Sequence, residues 1–345
     1  MKNKLKALLG VDYPILQGPM GGGLSTATLV SEVSNLGGLG GYGAYQLQPE
    51  EIRKVITDIK AHTTKPYNIN LWVNDVDDNT IVDDETYHLV VSNFKPYFDQ
   101  LHLPIPEKPQ FVISKFESQV EVLLQENIPV FSFVFGVPDQ AILKEFKKRN
   151  IVTIGAATTL DEALFLESAE VDMIVASGFE AGGHRPSFLK PAEKSLHGTF
   201  SLIQQIAGKI NLPVIAAGGI TNRKSVEAAI KLGASGVQVG TAFLACQESG
   251  ASNEYRDVLF SERARYTSLT KSFTGRLARG ISGSISEDVQ INYTLPFPLQ
   301  THFMSTLRKA AIEQGRPDLI TFWAGQGVSE LCYKNVQQVF ESLIL

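Results

Sequence analysis

The sequence predicts an α/β protein built as a single (β/α)8 barrel with insertions, and three observations support this fold class. Short apolar runs alternate with segments whose apolar residues recur at helical spacing. The runs are apolar on both faces, which is typical of buried strands in a parallel sheet. The chain has 345 residues, 43% of them hydrophobic, which suffices for a barrel of roughly 250 residues with additional segments. A doubly wound open sheet shows the same alternation and stays as the alternative.

Eight predicted strands set the order of the chain. They cover residues 14–17, 38–42, 67–73, 129–135, 152–155, 172–176, 213–219 and 236–241. Helical spacing predicts helices over residues 25–36, 49–59, 118–125, 140–149, 160–168, 199–208, 225–232, 302–314 and 335–345. Gly37 and Gly233 follow two of these segments as helix stop signals.

Two insertions interrupt the alternation and would form a lid or substrate region. Residues 74–110 are predicted to lie over the barrel mouth, with a helix over 87–97. Their carboxylates are expected to form a solvated face, because nothing pairs them with a base; they are Asp75, Asp77, Asp78, Asp83, Asp84 and Glu85. The predicted organisation is a barrel over 1–245, an insertion over 246–300 that borders the active site, and helices over 301–345 that close the barrel.

Composition excludes several classes of protein. A net charge of −5 argues against nucleic-acid binding, which needs a basic face. The sequence has no apolar run long enough for a membrane span, and its first residues have too short an apolar patch for a signal peptide. Cys246 and Cys332 are the two cysteines, too few for a disulfide framework or a metal cluster. We therefore expect a cytoplasmic protein without a metal, a nucleic-acid partner or a membrane partner.

Glycines at the exits of the last two strands predict a phosphate site. Gly218 and Gly219 end the seventh strand, and Gly240 and Thr241 end the eighth. In (β/α)8 barrels the loops after these strands commonly bind phosphate through backbone N–H groups. The alternative is that the glycines only permit tight turns, and spacing does not decide whether the phosphate belongs to a cofactor or a substrate. Residues 38–43 match a dinucleotide-binding pattern, but no helix begins at the third glycine, so we reject that interpretation.

His184 is the strongest candidate for catalysis. It alone of the six histidines stands among glycines at a strand exit, just after the predicted strand 172–176. A pKa near neutrality suits an imidazole to proton abstraction at pH 7, although a lone histidine can also be structural. Arg185 could bind an anionic substrate or pair with Glu180 or another carboxylate. Asn70 and Gln238 are amides in apolar strands, where they could face outward or pair with a heterocycle inside the barrel.

Several blocks of the sequence resemble class I nitronate monooxygenases, formerly called 2-nitropropane dioxygenases. They are Glu180-Ala181-Gly182-Gly183-His184-Arg185, Gln17-Gly18-Pro19-Met20, and residues 213–220, 236–243, 271–280 and 323–326, all in family order. The resemblance implies a TIM barrel that binds FMN noncovalently within residues 1–245. It implies oxidation by O₂ of alkyl nitronates such as propionate 3-nitronate, and also of nitroalkanes, to carbonyl compounds with nitrite or nitrate, a detoxifying reaction. It is compatible with a homodimer.

The resemblance also assigns roles to individual residues. His184 would be the active-site base, needed for neutral nitroalkanes but not for nitronates that are already ionised. The residues that would contact FMN are Met20, Asn70, Ser177, Gly182, Gly218, Gly219, Gln238, Gly240 and Thr241. Arg185 and Lys271, with the loop 272–280, would border the substrate.

Two positions depart from the family pattern. Pro186 replaces the glycine that usually follows the His-Arg pair, and proline favours an extended Arg185 and a stiffer loop. Ser177 stands at or near the place of a common glutamine, which removes one flavin contact. Both departures leave FMN binding intact as an expectation, but they change the expected substrate pocket.

Other functions stay open on the sequence. An FMN-dependent enoyl-ACP reductase that uses NAD(P)H has a similar glycine–glycine–histidine stretch, although Arg185 after the histidine favours the nitronate interpretation. A non-catalytic flavin- or phosphate-binding barrel, or a barrel that binds a phosphorylated substrate without flavin, would keep the same glycine exits.

Overall fold

An eight-stranded parallel sheet dominates the computed structural model, which describes residues 2–77, 82–109 and 112–345. The strands in chain order are β1 (Ile15–Gln17), β2 (Gly40–Gly43), β3 (Tyr67–Trp72), β4 (Val130–Val134), β5 (Val152–Ala157), β6 (Met173–Ser177), β7 (Gly183–His184), β8 (Val214–Ala217), β9 (Gly236–Val239), β10 (Thr267–Thr270) and β11 (Ala278–Ile281). The large sheet runs β1-β9-β8-β6-β5-β4-β3-β2, and every pairing in it is parallel.

The first and last strands of this sheet meet and close it. Leu16 and Leu39 form a parallel bridge, and the Gln17 backbone N–H donates to the Leu39 carbonyl oxygen at 2.9 Å. The prediction of a (β/α)8 barrel is therefore confirmed, and the open doubly wound sheet is excluded.

Helices surround the barrel at nearly all the predicted places. They are α1 (Lys2–Leu9), α2 (Ala27–Asn35), α3 (Pro49–His62), α4 (Asp84–Gln100), α5 (Phe116–Gln125), α6 (Gln140–Lys148), α7 (Leu160–Ser168), α8 (Thr199–Ala207), α9 (Arg223–Lys231), α10 (Thr241–Leu244), α11 (Asn253–Leu259), α12 (Leu299–Phe303), α13 (Ser305–Glu313) and α14 (Val336–Leu343). Helices α2, α7 and α9 begin at Thr26, Thr159 and Asn222, whose side chains accept a backbone N–H three residues on. None of the described helices has the length and apolarity needed to cross a membrane.

The alternation of side chains along the strands separates two environments. Ile69, Phe131 and Ile174 belong to a core cluster that the surrounding helices complete. Val130, Met173 and their neighbours of the same parity belong to a second cluster inside the barrel, which also contains Leu5 and Leu9. Helix α1 therefore packs its apolar side chains into one end of the barrel, and the opposite end, where the strands finish, is left for a site.

A helical lid forms a separate apolar cluster. We use the term helical lid for α4, α12 and α13, whose buried residues include Phe94, Phe98, Phe303 and Leu307. The helix predicted over 302–314 corresponds to α12 and α13 and packs here, whereas α14 packs with α2 on the barrel wall. Two distant chain segments therefore build one layer beside the barrel mouth.

A small antiparallel sheet carries the histidine. Strand β7 pairs with β11, with His184 opposite Ala278, and β11 pairs with β10. The sequence analysis placed His184 among glycines at the exit of the strand predicted over 172–176, and in the structure it lies on a short edge strand that pairs with β11 of the 246–300 segment. The backbone N–H of Arg185 continues this ladder by donating to Leu277 at 2.8 Å, an extended conformation that the following Pro186 favours.

The expected solvated face of carboxylates requires correction. Asp77 forms an ion pair with Arg276 at 2.6 Å, and the buried Asp75 accepts the Lys115 N–H at 2.8 Å. Asp75 and Asp77 therefore hold the chain, whereas Asp83, Asp84 and Glu85 are exposed as expected, with Asp83 also capping α4. Asp78 lies outside the described residues.

Candidate active site

A cavity of about 320 Å³ opens at the carboxyl ends of the barrel strands. Its volume is within the range of small-molecule sites. His184 and every residue predicted to contact FMN line it: Met20, Asn70, Ser177, Gly182, Gly218, Gly219, Gln238, Gly240 and Thr241. Arg185 and Lys271 do not line this cavity but an adjacent one. The structure thus brings together the predicted base and the predicted cofactor residues, and separates the two predicted border residues from them.

The glycine exits leave backbone donors without partners. The N–H groups of Gly218, Gly219 and Gly240 make no hydrogen bond with any residue that the structure describes. A Cβ added at Gly240 would meet no atom within 4 Å, so the space beside this backbone is open. Gly218 and Gly219 have φ of 110° and 70°, which side-chain-bearing residues rarely adopt. Because buried N–H groups are nearly always paired, this cluster suits an anion such as phosphate.

Two amides line the cavity from opposite parts of the barrel. Asn70 is 4% exposed, and its Nδ2 donates to the Ser132 hydroxyl at 2.9 Å, which leaves Oδ1 without a partner among the described residues. The Gln238 side chain likewise makes no hydrogen bond within the described chain. These free amide atoms can pair with a heterocycle that offers both donors and acceptors. The residues present therefore fit a flavin ring as well as its phosphate.

His184 lies in an aromatic cage, which we define as Trp72, Phe135, Phe297 and Trp323. The ring centroids of Trp72 and Trp323 are 5.0 and 5.4 Å from that of the imidazole. Burial lowers the pKa of His184 to about 3, and the positive charge of Arg276 adds to this effect. Because of this low pKa the imidazole is neutral at pH 7, and it lines the cavity.

The contact with Thr274 indicates which nitrogen of the neutral His184 imidazole carries the proton. Its hydroxyl donates to the Arg276 carbonyl oxygen at 3.1 Å, so its oxygen accepts the contact with His184 Nε2 at 2.9 Å. The hydrogen-bond pattern therefore assigns the Nε2–H tautomer. The lone pair is then on Nδ1, which makes no hydrogen bond with the described residues and is the nitrogen able to accept a proton.

Arg276 packs against two rings of the aromatic cage. Its guanidinium carbon lies 4.3 Å from the Phe135 ring centroid and 4.5 Å from that of Phe297, in cation–π geometry. It donates to Asp77 and to the Asn74 carbonyl oxygen at 2.6 and 2.7 Å. The sequence analysis did not single out Arg276 or Thr274, although both lie in the family-like block 271–280.

Arg185 lines the adjacent cavity and not the main one, and it forms no ion pair with the residues that the structure describes. Its side chain is 1% exposed and donates to the carbonyl oxygens of Ser177 and Ser195 at 2.8 and 2.9 Å. Burial lowers the pKa of Arg185 to about 10, so it stays charged at pH 7. Glu180 accepts the Thr199 N–H at the start of α8 instead of pairing with it. Arg185 therefore ties the loop after β7 to Ser177 and Ser195, and it does not line the main cavity.

The barrel, the unpaired glycine donors and the caged histidine suit a flavin-dependent oxidoreductase, and comparisons with known proteins place the chain in that class. The family model described as "Nitronate monooxygenase" matches residues 2–345. A probable nitronate monooxygenase of Staphylococcus aureus is 40% identical over 328 residues, 94% of this chain and 91% of that protein. The chain therefore belongs to the nitronate monooxygenase family.

Two solved structures are similar to this fold over almost the whole chain. The nitroalkane oxidase from Streptomyces ansochromogenes has a TM-score of 0.89 and 29% identity, covering 98% of this chain and 96% of its own. FabK from Thermotoga maritima has a TM-score of 0.76 and 27% identity, covering 99% of this chain and 94% of its own.

Proposed function

We propose that this protein is an FMN-dependent nitronate monooxygenase that uses O₂ to oxidise alkyl nitronates, propionate 3-nitronate among them, to carbonyl compounds with nitrite or nitrate. The observation that carries the proposal is a neutral, aromatic-caged His184 in the same cavity as the unpaired donors of Gly218, Gly219 and Gly240. Membership of the nitronate monooxygenase family supports it.

In this proposal, residues that line the main cavity bind the parts of FMN. The backbone donors at Gly218, Gly219 and Gly240, with the Thr241 hydroxyl, would hold the phosphate. Asn70, Gln238 and the Met20 backbone would hold the ring, and Ser177 and Gly182 would complete the contacts. When bound, FMN supplies the electron transfer and the reactivity toward O₂.

The protein residues set which substrate form reacts. A nitronate arrives already ionised, and the aromatic cage excludes water around it while the nearby charge of Arg276 favours an anion. A neutral nitroalkane must first lose its α-proton to Nδ1 of His184. The low pKa of His184 gives that transfer little driving force, so nitronates should be oxidised faster than the corresponding nitroalkanes.

A second candidate is an FMN-dependent enoyl reductase that uses NAD(P)H, and the likeness to FabK is the observation in its favour. The likeness to the nitroalkane oxidase is greater. One cuvette experiment separates the two candidates: a visible spectrum of the purified protein, followed by O₂ uptake on addition of propionate 3-nitronate. Flavin bands with O₂ uptake support the monooxygenase. Flavin bands that only NAD(P)H bleaches, without nitronate turnover, would overturn it in favour of the reductase.

A further inference from the structure

A second cavity of about 630 Å³ lies beside the main one, on the other side of the extended segment that begins in β7. Side chains alternate along this segment. His184 and Pro186 line the main cavity, whereas Arg185 and Ser187 line the second. A single chain segment therefore forms part of the wall between the two spaces.

Phe135 completes this wall. Among the described residues, it alone lines both cavities. Its ring centroid lies 6.4 Å from that of the His184 imidazole and 4.6 Å from that of Trp72. The guanidinium carbon of Arg276, which lines the second cavity, lies 4.3 Å from the same centroid. The ring of Phe135 therefore lies between the space around His184 and the second cavity.

The backbone of Phe135 is strained. Its φ is 61°, in the left-handed region that bulky residues rarely adopt, and Gly136 follows with φ of 131°. Such a conformation persists only where the surrounding contacts fix it, and it is frequent at functional sites. The Asn74 N–H donates to the Phe135 carbonyl oxygen at 3.2 Å. Trp72 and Arg276 contact the ring, so an aromatic side chain is held where glycine would be less strained.

The second cavity is suited to receive an apolar chain. Its lining includes the apolar residues Phe188, Leu277 and Pro296. Arg276 and Lys271 also line it, but each forms an ion pair with a carboxylate of the same lining. Under the proposed function the main cavity also holds FMN, so little length remains for a substrate beside the imidazole. The space on the far side of Phe135 is the nearest extension of that room.

We propose that Phe135 is a specificity-determining residue, which limits the length of the nitronate by closing the main cavity toward the second one. This inference rests on the proposed function and adds the residue that sets the size of its substrate. A short alkyl nitronate fits in front of the ring, whereas a chain several carbons longer needs the place that the ring occupies. Removal of the ring would join the two cavities and admit the longer chain.

The test compares ethyl nitronate with hexyl 1-nitronate in the FMN-loaded wild type and in Phe135→Gly. Glycine is chosen because it adopts a φ of 61° without strain. We expect the ratio of kcat/KM for the hexyl over the ethyl substrate to rise about tenfold or more in the variant. Burial of each additional methylene group contributes about fourfold. Phe135→Leu keeps part of the side chain and should give a smaller rise, which provides the test if Phe135→Gly does not fold.

A matched control separates pocket length from general loosening. Phe297→Ala removes another ring of the aromatic cage, and Phe297 lines neither cavity. This variant should keep the hexyl-to-ethyl ratio within about twofold of the wild type, whatever its overall activity. An unchanged ratio in the Phe135 variants, or an equal rise in Phe297→Ala, would overturn the assignment. Failure of the FMN-loaded wild type to oxidise ethyl nitronate would instead contradict the proposed function.

Discussion

At the scale of single residues, the site depends on how each polar group is satisfied. In the neutral imidazole of His184, Nε2 contacts the Thr274 hydroxyl, and Nδ1 is the nitrogen that can accept a proton from a substrate. Arg185, its neighbour in sequence, donates from Nη1 and Nη2 to the backbone carbonyl oxygens of Ser177 and Ser195. Adjacent residues therefore have unrelated roles, which follow from the contacts of each side chain and not from its position in a motif.

Removing the Thr274 hydroxyl should allow the imidazole of His184 to populate both of its neutral tautomers. Thr274→Val should lower kcat/KM for nitroethane about tenfold or more, because a base in the wrong tautomer cannot take the α-proton. It should lower kcat/KM for ethyl nitronate less than about threefold, since that substrate needs no base. The nitrogen chemical shifts of His184 should show mixed tautomers in Thr274→Val and the Nε2–H tautomer in Thr274→Ser. Unchanged shifts in Thr274→Val would refute this positioning role.

His184 should also make the protein less stable in acid. Its folded pKa is about 3 and its ordinary value is 6.5, so between these values the unfolded chain binds more protons. Stability therefore falls as pH decreases below 6.5, by about 2 kcal/mol at pH 5. Thermal unfolding of the FMN-saturated wild type and of His184→Asn at pH 7 and pH 5 measures the effect. The variant should lose less stability than the wild type on acidification, and an equal loss in both would contradict the burial of a neutral imidazole.

At the scale of elements, strand ends decide where ligands can bind. The barrel strands supply interior positions such as Asn70, Ser177 and Gln238 near their carboxyl ends, and the following glycines expose the backbone. Elsewhere glycine serves packing instead, since a Cβ at Gly40 would lie 2.0 Å from the Val30 carbonyl oxygen. A glycine thus indicates a ligand site where the space beside its Cα is open, and close packing where another part of the backbone fills that space.

Gly240→Ala tests the ligand role of the β9 exit. No protein atom lies within 4 Å of the added methyl group, so the variant should fold with an unchanged Tm. The methyl group would occupy space proposed for the cofactor, so the Kd for FMN should rise about tenfold or more, a loss of about 1.4 kcal/mol. Fluorescence titration with FMN measures this change. Gly208→Ala, which also meets no atom within 4 Å but lies at the end of α8, is the matched control. Equal FMN affinity in the two variants would rule out FMN binding at the backbone of Gly240.

At the scale of the whole molecule, the active site is assembled from the barrel and the segments added to it. Asp77 follows β3, pairs with Arg276 before β11, and accepts the Phe297 N–H at 2.9 Å just before the helical lid resumes. One carboxylate therefore joins three parts of the chain that are far apart in sequence. This junction also holds the rings that enclose His184.

Asp77→Asn should loosen this junction. Arg276 is 9% exposed, and without its counterion it becomes a buried charge that is poorly compensated. Because the Asp77 side chain is 30% exposed, we expect a loss of about 1–3 kcal/mol rather than more. Chemical denaturation measures the loss, and hydrogen exchange should rise over 267–281. The control is Asp84→Asn, which removes an exposed carboxylate paired with Lys108 and should leave the free energy of unfolding almost unchanged. Similar losses in both variants would disprove the special role of Asp77.

The sequence by itself determined the barrel, because eight apolar runs with intervening helical periodicity have few ways to bury both faces of every strand. It also indicated His184 and the glycine exits, since local patterns report strand ends and backbone freedom. The family blocks placed the chain among nitronate monooxygenases on the same local evidence.

Only the tertiary structure decided which of these residues meet. The aromatic cage combines Trp72, Phe135, Phe297 and Trp323. The contact of Thr274 with His184 and that of Asp77 with Arg276 join positions 90 and 199 residues apart in sequence. Such contacts leave no periodic signal, because each partner alone looks like an ordinary loop or helix residue. The same limit explains Arg185, whose burial no local pattern reveals. Folding of distant segments onto one barrel mouth, and the burial it brings, fixes the charge and direction of the side chains that do the chemistry.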